Sequence, residues 1–249
     1  MSDSSSSSAH RLPDYLRNTY SWAYLNHRTV PWLDQPAVVS AILWGNASRL
    51  MDAAVREFAP GQRVLQAAAV YGDFSARLAR RLGDGGQLTV VDVAPIQIAN
   101  TRRKLEPWPQ ARAQVADLTE PMGVSFDAVC CFFLLHEVPT YARHRIVTNL
   151  LEAVEPGGKI VFVDYHKPRW WHPMGPAMAL VFRYLEPFAN SLLAEEIAEH
   201  DRAAYGYAMD LVNSCRMARG RSVAAAPSAD GHELVLKLAG TLEDGLADI

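Results

Sequence analysis

The stretch Arg63–Asp92, RVLQAAAVYGDFSARLARRLGDGGQLTVVD, decides how the whole chain is read. Val64 to Ala68 is a short apolar run that predicts a buried strand. Phe74, Leu78 and Leu82 recur at helical spacing within Asp73 to Leu82, and Leu88 to Asp92 is a second β-rich run. Strand, helix and strand in so short a segment make a β-α-β unit, which forces the two strands to lie parallel.

The alternation continues outward from this unit. A helix is expected over Ile96 to Leu105, stopping before Pro107, because the residue ahead of a proline is driven out of the helical region. A third strand is expected over Ala113 to Asp117 and a fully buried fourth over Phe126 to Leu135 (FDAVCCFFLL). A helix over Ala142 to Val154 should end at Pro156, Gly157 and Gly158, with Lys159 to Tyr165 as the fifth strand. Glu233 to Leu238 alternates like a late strand. Tyr15 to Phe58 reads as helical and aromatic, with breaks at Pro31 and Pro36, and Pro173 to Ala204 reads as helical again. The expectation is an α/β, Rossmann-like fold, a mostly parallel sheet with helices on both faces. N-terminal and late helical segments would flank it and admit substrate. A disordered, serine-rich tail is expected over 1–14, then one domain over 15–249. That domain divides into an aromatic lid (15–59), a cofactor-binding core (60–166), and late helices with the terminal sheet edge (167–249).

Composition removes several function classes. The 249 residues are 49% hydrophobic, enough for a substantial core, and a net charge of −3 with signs mixed gives no basic field, so no nucleic-acid partner is expected. Of three cysteines, Cys130 and Cys131 are adjacent in an apolar run, which makes neither a disulfide framework nor a metal spacing and fits a reducing cytosol. The serine tract lacks the basic start and apolar core of a signal peptide. The apolar stretch Pro173 to Phe182 stops at Arg183, far short of the ~20 residues that span a bilayer. Trp22, Trp32, Trp44, Trp170 and Trp171 lie outside the strand-helix pattern, where either core packing or contact with a membrane surface accounts for them.

The first strand runs through Gln66-Ala67-Ala68-Ala69-Val70-Tyr71-Gly72 directly into a helix. In nucleotide-binding α/β folds this turn is glycine-rich, because the backbone must approach the ligand closely. Here only Gly72 remains, so an ordinary strand-helix turn is a competing reading. Asp92 ends the second strand about 20 residues later, where an acid accepts hydrogen bonds from ribose hydroxyls. Asp117 ends the third strand, where an adenine amino group is held in such folds. The three features in register point to a nucleoside site formed by Gln66, Ala68, Val70, Tyr71, Gly72, Asp92 and Asp117.

The acids, together with Phe126-Asp127 and with Leu151-Glu152-Ala153-Val154-Glu155-Pro156-Gly157-Gly158-Lys159, resemble the class I S-adenosylmethionine-dependent methyltransferases over about residues 60–166. The quinone-pathway branch is the nearest, for there a Pro-Gly-Gly turn precedes the fifth strand. A narrower set is Val64-Leu65-Gln66, Val70-Tyr71-Gly72, Phe132-Phe133-Leu134-Leu135-His136-Glu137-Val138-Pro139, Phe162-Val163-Asp164-Tyr165-His166, Trp171-His172-Pro173 and Leu185-Glu186-Pro187-Phe188-Ala189. Together these resemble the RquA family of rhodoquinone biosynthesis proteins, from about Tyr20 to Ile197.

The resemblance implies that a methoxy group on the ring of ubiquinone, a lipid-soluble substrate, is replaced by an amino group to give rhodoquinone. It implies S-adenosylmethionine as the amino donor rather than a methyl donor, and it allows a manganese requirement. A cytoplasmic protein peripheral on the inner face of the cytoplasmic membrane is the matching location. Ordinary methyltransferases of this fold carry an acid where Gln66 stands; without that charge the cofactor amine is neutral more readily, and only the neutral amine is a nucleophile.

Displacing methoxy needs carbonyl polarisation and proton transfer. The ends of the fourth and fifth strands supply His136, Glu137, Tyr165 and His166 as the catalytic candidates, although a histidine such as His136 equally often just hydrogen-bonds a loop. Tyr71 is a ligand contact or a packing tyrosine. Asp164, His166, Glu137 and His136 have the donor types to hold a manganese or iron ion, against the alternative of solvated or paired side chains. Two other functions compete: a conventional methyltransferase acting on a quinone precursor or other small hydrophobic acceptor, and a non-catalytic relic that binds quinone or a partner.

Overall fold

The computed structural model describes residues 12–43, 45–165, 180, 183–194, 223–224 and 233–239. It opens with five short helices: α1 (Asp14–Thr19), α2 (Ser21–Tyr24), α3 (Thr29–Leu33), α4 (Pro36–Ile42) and α5 (Ala47–Val55). The α/β core follows as β1 (Arg63–Ala67), α6 (Phe74–Leu82), β2 (Gln87–Asp92), α7 (Pro95–Leu105), β3 (Ala111–Val115) and β4 (Phe126–Phe132). After a 3₁₀ turn at Leu135–Glu137 come α8 (Thr140–Glu152), β5 (Val154–Tyr165), α9 (Ala189–Ala194), β6 (Val223–Ala224) and β7 (Glu233–Ala239).

The sheet order is β3-β2-β1-β4-β5-β7-β6, and every pair is parallel except β6 with β7. The chain moves outward from β1 to β3 and then crosses back to lay β4 on the other side of β1. At such a reversal the loops after β1 and β4 part, leaving a crevice beyond the strands' carboxyl ends.

Strand alternation sends side chains to two separate cores. Leu65, Ala67, Val129, Cys131, Ile160 and Phe162 pack under Ala142, Ile146, Val147 and Leu150 of α8. Val64, Val90, Ala128, Cys130 and Val161 face Met51, Phe74, Leu78 and Ile98 of α5, α6 and α7. Helices therefore cover both faces, as the sequence predicts. The adjacent cysteines point into opposite cores, and burial pushes both thiols up.

Several boundaries differ from expectation. Helix α1 starts at Asp14, inside the predicted tail, the rest of which lies largely outside the described residues. Pro31 does not break a helix but sits in the first turn of α3, where a missing N–H leaves no bond unmade, and Pro36 starts α4 in the same way. The third strand ends at Val115, two residues short of Asp117. The fourth ends at Phe132, because Phe133 turns to φ 54°. Pro156-Gly157-Gly158 lies inside β5 rather than ahead of it: pairing jumps from Phe126↔Val154 to Ala128↔Lys159, and the three residues bulge out between. Of the late helix expected over Pro173 to Ala204, the described part includes α9, while the late strand is β7, paired from Lys159↔Glu233 to Tyr165↔Ala239.

The bulge explains its glycines. Gly157 has φ 80°, and a Cβ on Gly158 would lie 2.7 Å from the Asp127 carbonyl oxygen. Backbone cannot yield as a flexible side chain can. Gly158→Ala should lower stability by about 1–3 kcal/mol in thermal unfolding, whereas Gly85→Ala, with open space around it, should cost far less.

Candidate functional site

A cavity of about 500 Å³ occupies the crevice. Its floor is the loop after β1 and the turn after β4, and its roof is the N-terminal helices.

The loop after β1 keeps the shape of a nucleotide turn without its glycines. Ala68 has φ 69°, a left-handed conformation that costs a residue with a Cβ about 1–2 kcal/mol. It is held there on both sides: its N–H donates to Val91 O at 2.8 Å, and its carbonyl accepts from Gln66 Nε2 at 2.9 Å. Gln66 itself is buried beneath the loop and is absent from the cavity wall, while its Oε1 has no donor among the described residues. Further along, Lys104 Nζ donates to the carbonyls of Val70 and Gly72 and to Asp34 Oδ1, each at 2.9 Å. Asp34 also accepts from the Gly72 N–H at 2.8 Å and from Asn100 Nδ2 at 3.0 Å. Burial pushes the Lys104 ammonium down, and Asp34 partly restores it.

Asp92 and Asp117 stand at the cavity wall. Asp92 accepts from the N–H of Ala69 at 2.9 Å on one oxygen and from that of Ala94 at 2.7 Å on the other. One lone pair per oxygen is left for a diol. Burial raises its carboxyl to about 6, against the pull of the Ala94 and Ala69 N–H groups. Asp117 Oδ1 accepts from Thr119 N–H at 2.8 Å and Thr119 Oγ1 at 2.7 Å, which fixes the carboxylate and leaves Oδ2 for a ligand.

Across the cavity stands a buried polar group. His136 Nδ1 lies 2.8 Å from Asp164 Oδ1, and Asp164 Oδ2 accepts from the Leu135 N–H at 2.9 Å. His136 Nε2 is 3.8 Å from Glu137 Oε1 and 3.9 Å from Glu186 Oε2. Burial alone would lower the His136 pKa, but Asp164, Glu137 and Glu186 outweigh it and raise it. Burial raises Glu137 and Glu186, with His136 opposing in both cases. All three groups are therefore raised, with one imidazole nitrogen within 3.9 Å of both carboxylates. Arg143, fully buried, holds the backbone around them, donating to the carbonyls of Leu135 (3.0 Å), Val138 (3.1 Å) and Phe188 (3.2 Å) and to Ser191 Oγ (2.9 Å).

The lid is fastened to both halves. Tyr71 donates its hydroxyl to Ala23 O at 2.6 Å, accepts from Gln97 Nε2 at 2.9 Å and stacks on Tyr24 with ring centres 5.6 Å apart. Tyr24 donates to Glu137 and Tyr20 to Glu186, the latter at 2.9 Å. Tyr15 borders the acids Asp92 and Asp117, which add to the upward shift that burial gives its phenol.

Of the predicted residues, Ala68, Val70, Tyr71, Asp92, Asp117, His136 and Glu137 line one cavity, while Gln66 and Gly72 lie outside its wall. Tyr165 ends β5 at the same sheet edge, and His166 lies outside the described residues. Asp164 stands behind His136 rather than beside it as a ligand. Glu186, Arg143, Asp34, Lys104 and the lid tyrosines are additions; Glu186 lay inside a quoted motif, but nothing in its spacing joins it to His136.

A family model described as a methyltransferase domain matches residues 64–158. That stretch spans β1 to the bulge of β5 and contains both Asp92 and Asp117. Residues 64–158 are a class I S-adenosylmethionine-dependent methyltransferase domain. Its cofactor is S-adenosylmethionine, and the donor set just described fits it. Among curated relatives, the ubiquinone/menaquinone biosynthesis C-methyltransferase UbiE of Shewanella halifaxensis is 28% identical over 118 residues, 44% of this chain and 45% of that protein. The UbiE of Edwardsiella ictaluri is 26% identical over 167 residues, 63% of this chain and 60% of that protein. The chain thus spans about half the length of the relatives it matches. Among solved structures, N-methyltransferase NodS from Bradyrhizobium japonicum WM9 has a TM-score of 0.45 at 17% identity, covering 60% of this chain and 72% of its own. A SAM-dependent methyltransferase from Aquifex aeolicus has 0.47 at 14%, covering 64% and 86%.

Two outcomes follow for cofactor binding. Lys104→Met removes two part-buried hydrogen bonds to loop carbonyls and one to Asp34, and should weaken S-adenosylhomocysteine binding by about tenfold in calorimetry. Affinity should also fall as pH drops through about 6, where Asp92 gains a proton and one oxygen ceases to accept; Asp92→Asn should bind weakly with no such step.

Proposed function

We propose that the protein converts ubiquinone to rhodoquinone, replacing a ring methoxy group by an amino group. The observation that carries this reading is the shared cavity: the nucleoside acids Asp92 and Asp117 and the proton-exchanging group His136, Glu137 and Glu186 line one space. Methylating a ring carbon needs one proton removed, whereas displacing methoxy by an amine needs a proton taken from nitrogen and another given to the leaving oxygen.

S-adenosylmethionine supplies the nitrogen: a carbon–nitrogen bond forms at the ring and the carbon–oxygen bond to methoxy breaks, releasing methanol. The nitrogen is then freed as its former carbon becomes a keto group with oxygen from water, the ring accepting the two electrons and leaving as the quinol. No further oxidant is required. His136, oriented through Nδ1 by Asp164, and Glu137 shuttle the protons. Gln66, acting through the Ala68 carbonyl, sets the pitch of the loop that presents the amine.

The acceptor's isoprenoid tail needs an apolar approach. Trp22, Trp32 and Ile42 border the cavity and are 48%, 57% and 46% exposed, which suits a peripheral hold on a membrane surface. Among the described residues no helix is long and apolar enough to cross a membrane.

A second reading, a conventional methyltransferase on a quinone precursor, is favoured by the curated relatives, which are named as C-methyltransferases. Expression in a host that makes ubiquinone but no rhodoquinone separates the two. Mass analysis of the extracted quinones should give the aminoquinone with wild type, and His136→Ala should lower its yield at least a hundredfold. A methylated quinone with S-adenosylhomocysteine would select the second reading.

A further inference from the structure

We propose that Tyr24 and Tyr20 are positioning residues for the reaction: through these two phenols α2 holds the Glu137 and Glu186 carboxylates and makes their placement depend on the loop after β1, on which the same helix is docked. The proposal rests on the reading of this cavity as the reaction site, but it applies to whichever group is transferred there.

The two carboxylates need a hold from outside. His136 Nε2 is 3.8 Å from Glu137 Oε1 and 3.9 Å from Glu186 Oε2, too far for a hydrogen bond to either. A glutamate side chain has many rotamers, so a carboxylate that nothing holds spreads over many positions. Among the described residues, the hydrogen bonds to these carboxylates come from Tyr24, which donates to Glu137, and from Tyr20, which donates to Glu186 at 2.9 Å.

One helical turn sets the spacing of the two donors. The Tyr24 N–H donates to the Tyr20 carbonyl at 2.9 Å, so both side chains leave the helix on one face, with ring centres 5.9 Å apart. That face meets carboxylates from two distant parts of the chain, the 3₁₀ turn after β4 and the stretch ahead of α9. Tyr20 is buried, and its ring also packs on Phe188 with centres 6.4 Å apart. Burial and the charges of Glu137 and Glu186 push the Tyr24 phenol up. It therefore keeps its proton and serves as a fixed donor, not as a base.

The same helix is tied to the cofactor side. The Tyr24 ring stacks on Tyr71 with planes 15° apart, Tyr71 Oη donates to Ala23 O at 2.6 Å, and Gln97 Nε2 donates to Tyr24 O at 3.1 Å. With four residues, α2 is too short to persist without these ties. Tyr71 follows Val70, whose carbonyl Lys104 holds at 2.9 Å, so a loop displaced from this shape carries Tyr71 and Tyr24 with it and draws the phenol off Glu137. Cofactor binding, by fixing the loop, thereby fixes the carboxylate across the cavity.

The test is steady-state turnover of S-adenosylmethionine by full-length protein, given ubiquinone or a ring-unmethylated precursor, with aminated and methylated products counted together. Tyr24→Phe keeps the ring on Tyr71 and deletes the bond to Glu137; Tyr20→Phe deletes the bond to Glu186. Each should lower kcat by about 10–100-fold, while the KM for S-adenosylmethionine and the calorimetric affinity for S-adenosylhomocysteine, which also certifies folding, stay within about twofold of wild type. Tyr24→Leu loses the stack as well and should weaken S-adenosylhomocysteine binding about fivefold. Folded Tyr24→Phe that turns over as wild type does, a loss that falls on cofactor affinity instead of kcat, or Tyr24→Leu that binds S-adenosylhomocysteine unchanged overturns the proposal. Wild type that methylates the precursor and forms no aminoquinone, with the kcat loss in Tyr24→Phe intact, overturns the proposed function and leaves the positioning roles standing. Wild type that turns over neither acceptor overturns both.

Discussion

The Asp164 carboxylate is the point on which the buried polar cluster of this molecule depends. It sits near the end of β5, is almost wholly buried, and reaches across to the turn after β4, where it accepts from the Leu135 N–H and holds His136 Nδ1. Without it, the 3₁₀ turn would lose its tie to the sheet and His136 its orientation. Glu137, next in the chain, and Glu186, brought in beside it, have their proton affinities raised by burial, and His136, fixed between them, opposes that rise. Removing one partner from such a buried group leaves an uncompensated charge, so its members succeed or fail together.

The cofactor half is built on strain held in place by hydrogen bonds. Among the described residues, two with side chains, Ala68 and Phe133, adopt positive φ, and both line the cavity. A glycine would relax at either position. What fixes Ala68 is the N–H bond to Val91 and the Gln66 amide on its carbonyl, and what fixes the rest of the loop is Lys104 bridging Asp34 to two loop carbonyls. The N-terminal helices are too short to persist alone, and their bonds to Gly72, Tyr71, Glu137 and Glu186 tie them to the rest of the cavity's surroundings. Cofactor loop, lid and acid-base group therefore form one connected network.

Much of the fold was legible because parallel strands buried on both faces read as apolar runs, and because Phe74, Leu78 and Leu82 mark a helix by spacing alone. The boundaries that moved did so through tertiary effects. Phe133 ends β4 early by taking a glycine-like φ that no propensity foretells, and the Pro-Gly-Gly turn is absorbed into β5 because its neighbours already pair with β4. In the site, Asp92 ends β2 as expected while Asp117 lies two residues past β3, and both line the cavity. Gln66 was read as facing the cofactor, whereas strand alternation directs it to the same side as Val64, beneath the loop. Glu186, Lys104 and Asp34 were not legible, since only the folding of the lid and the late segment brings them to the crevice.

Isotopic labelling shows directly which atom leaves S-adenosylmethionine. Purified protein given ubiquinone and S-adenosylmethionine labelled with ¹⁵N in its amino group should yield a quinone one mass unit heavier than the unlabelled aminoquinone, with the label in the ring amine. A product that instead carries ¹³C from a methyl-labelled cofactor, and no ¹⁵N, would contradict the account and return this chain to methyl transfer.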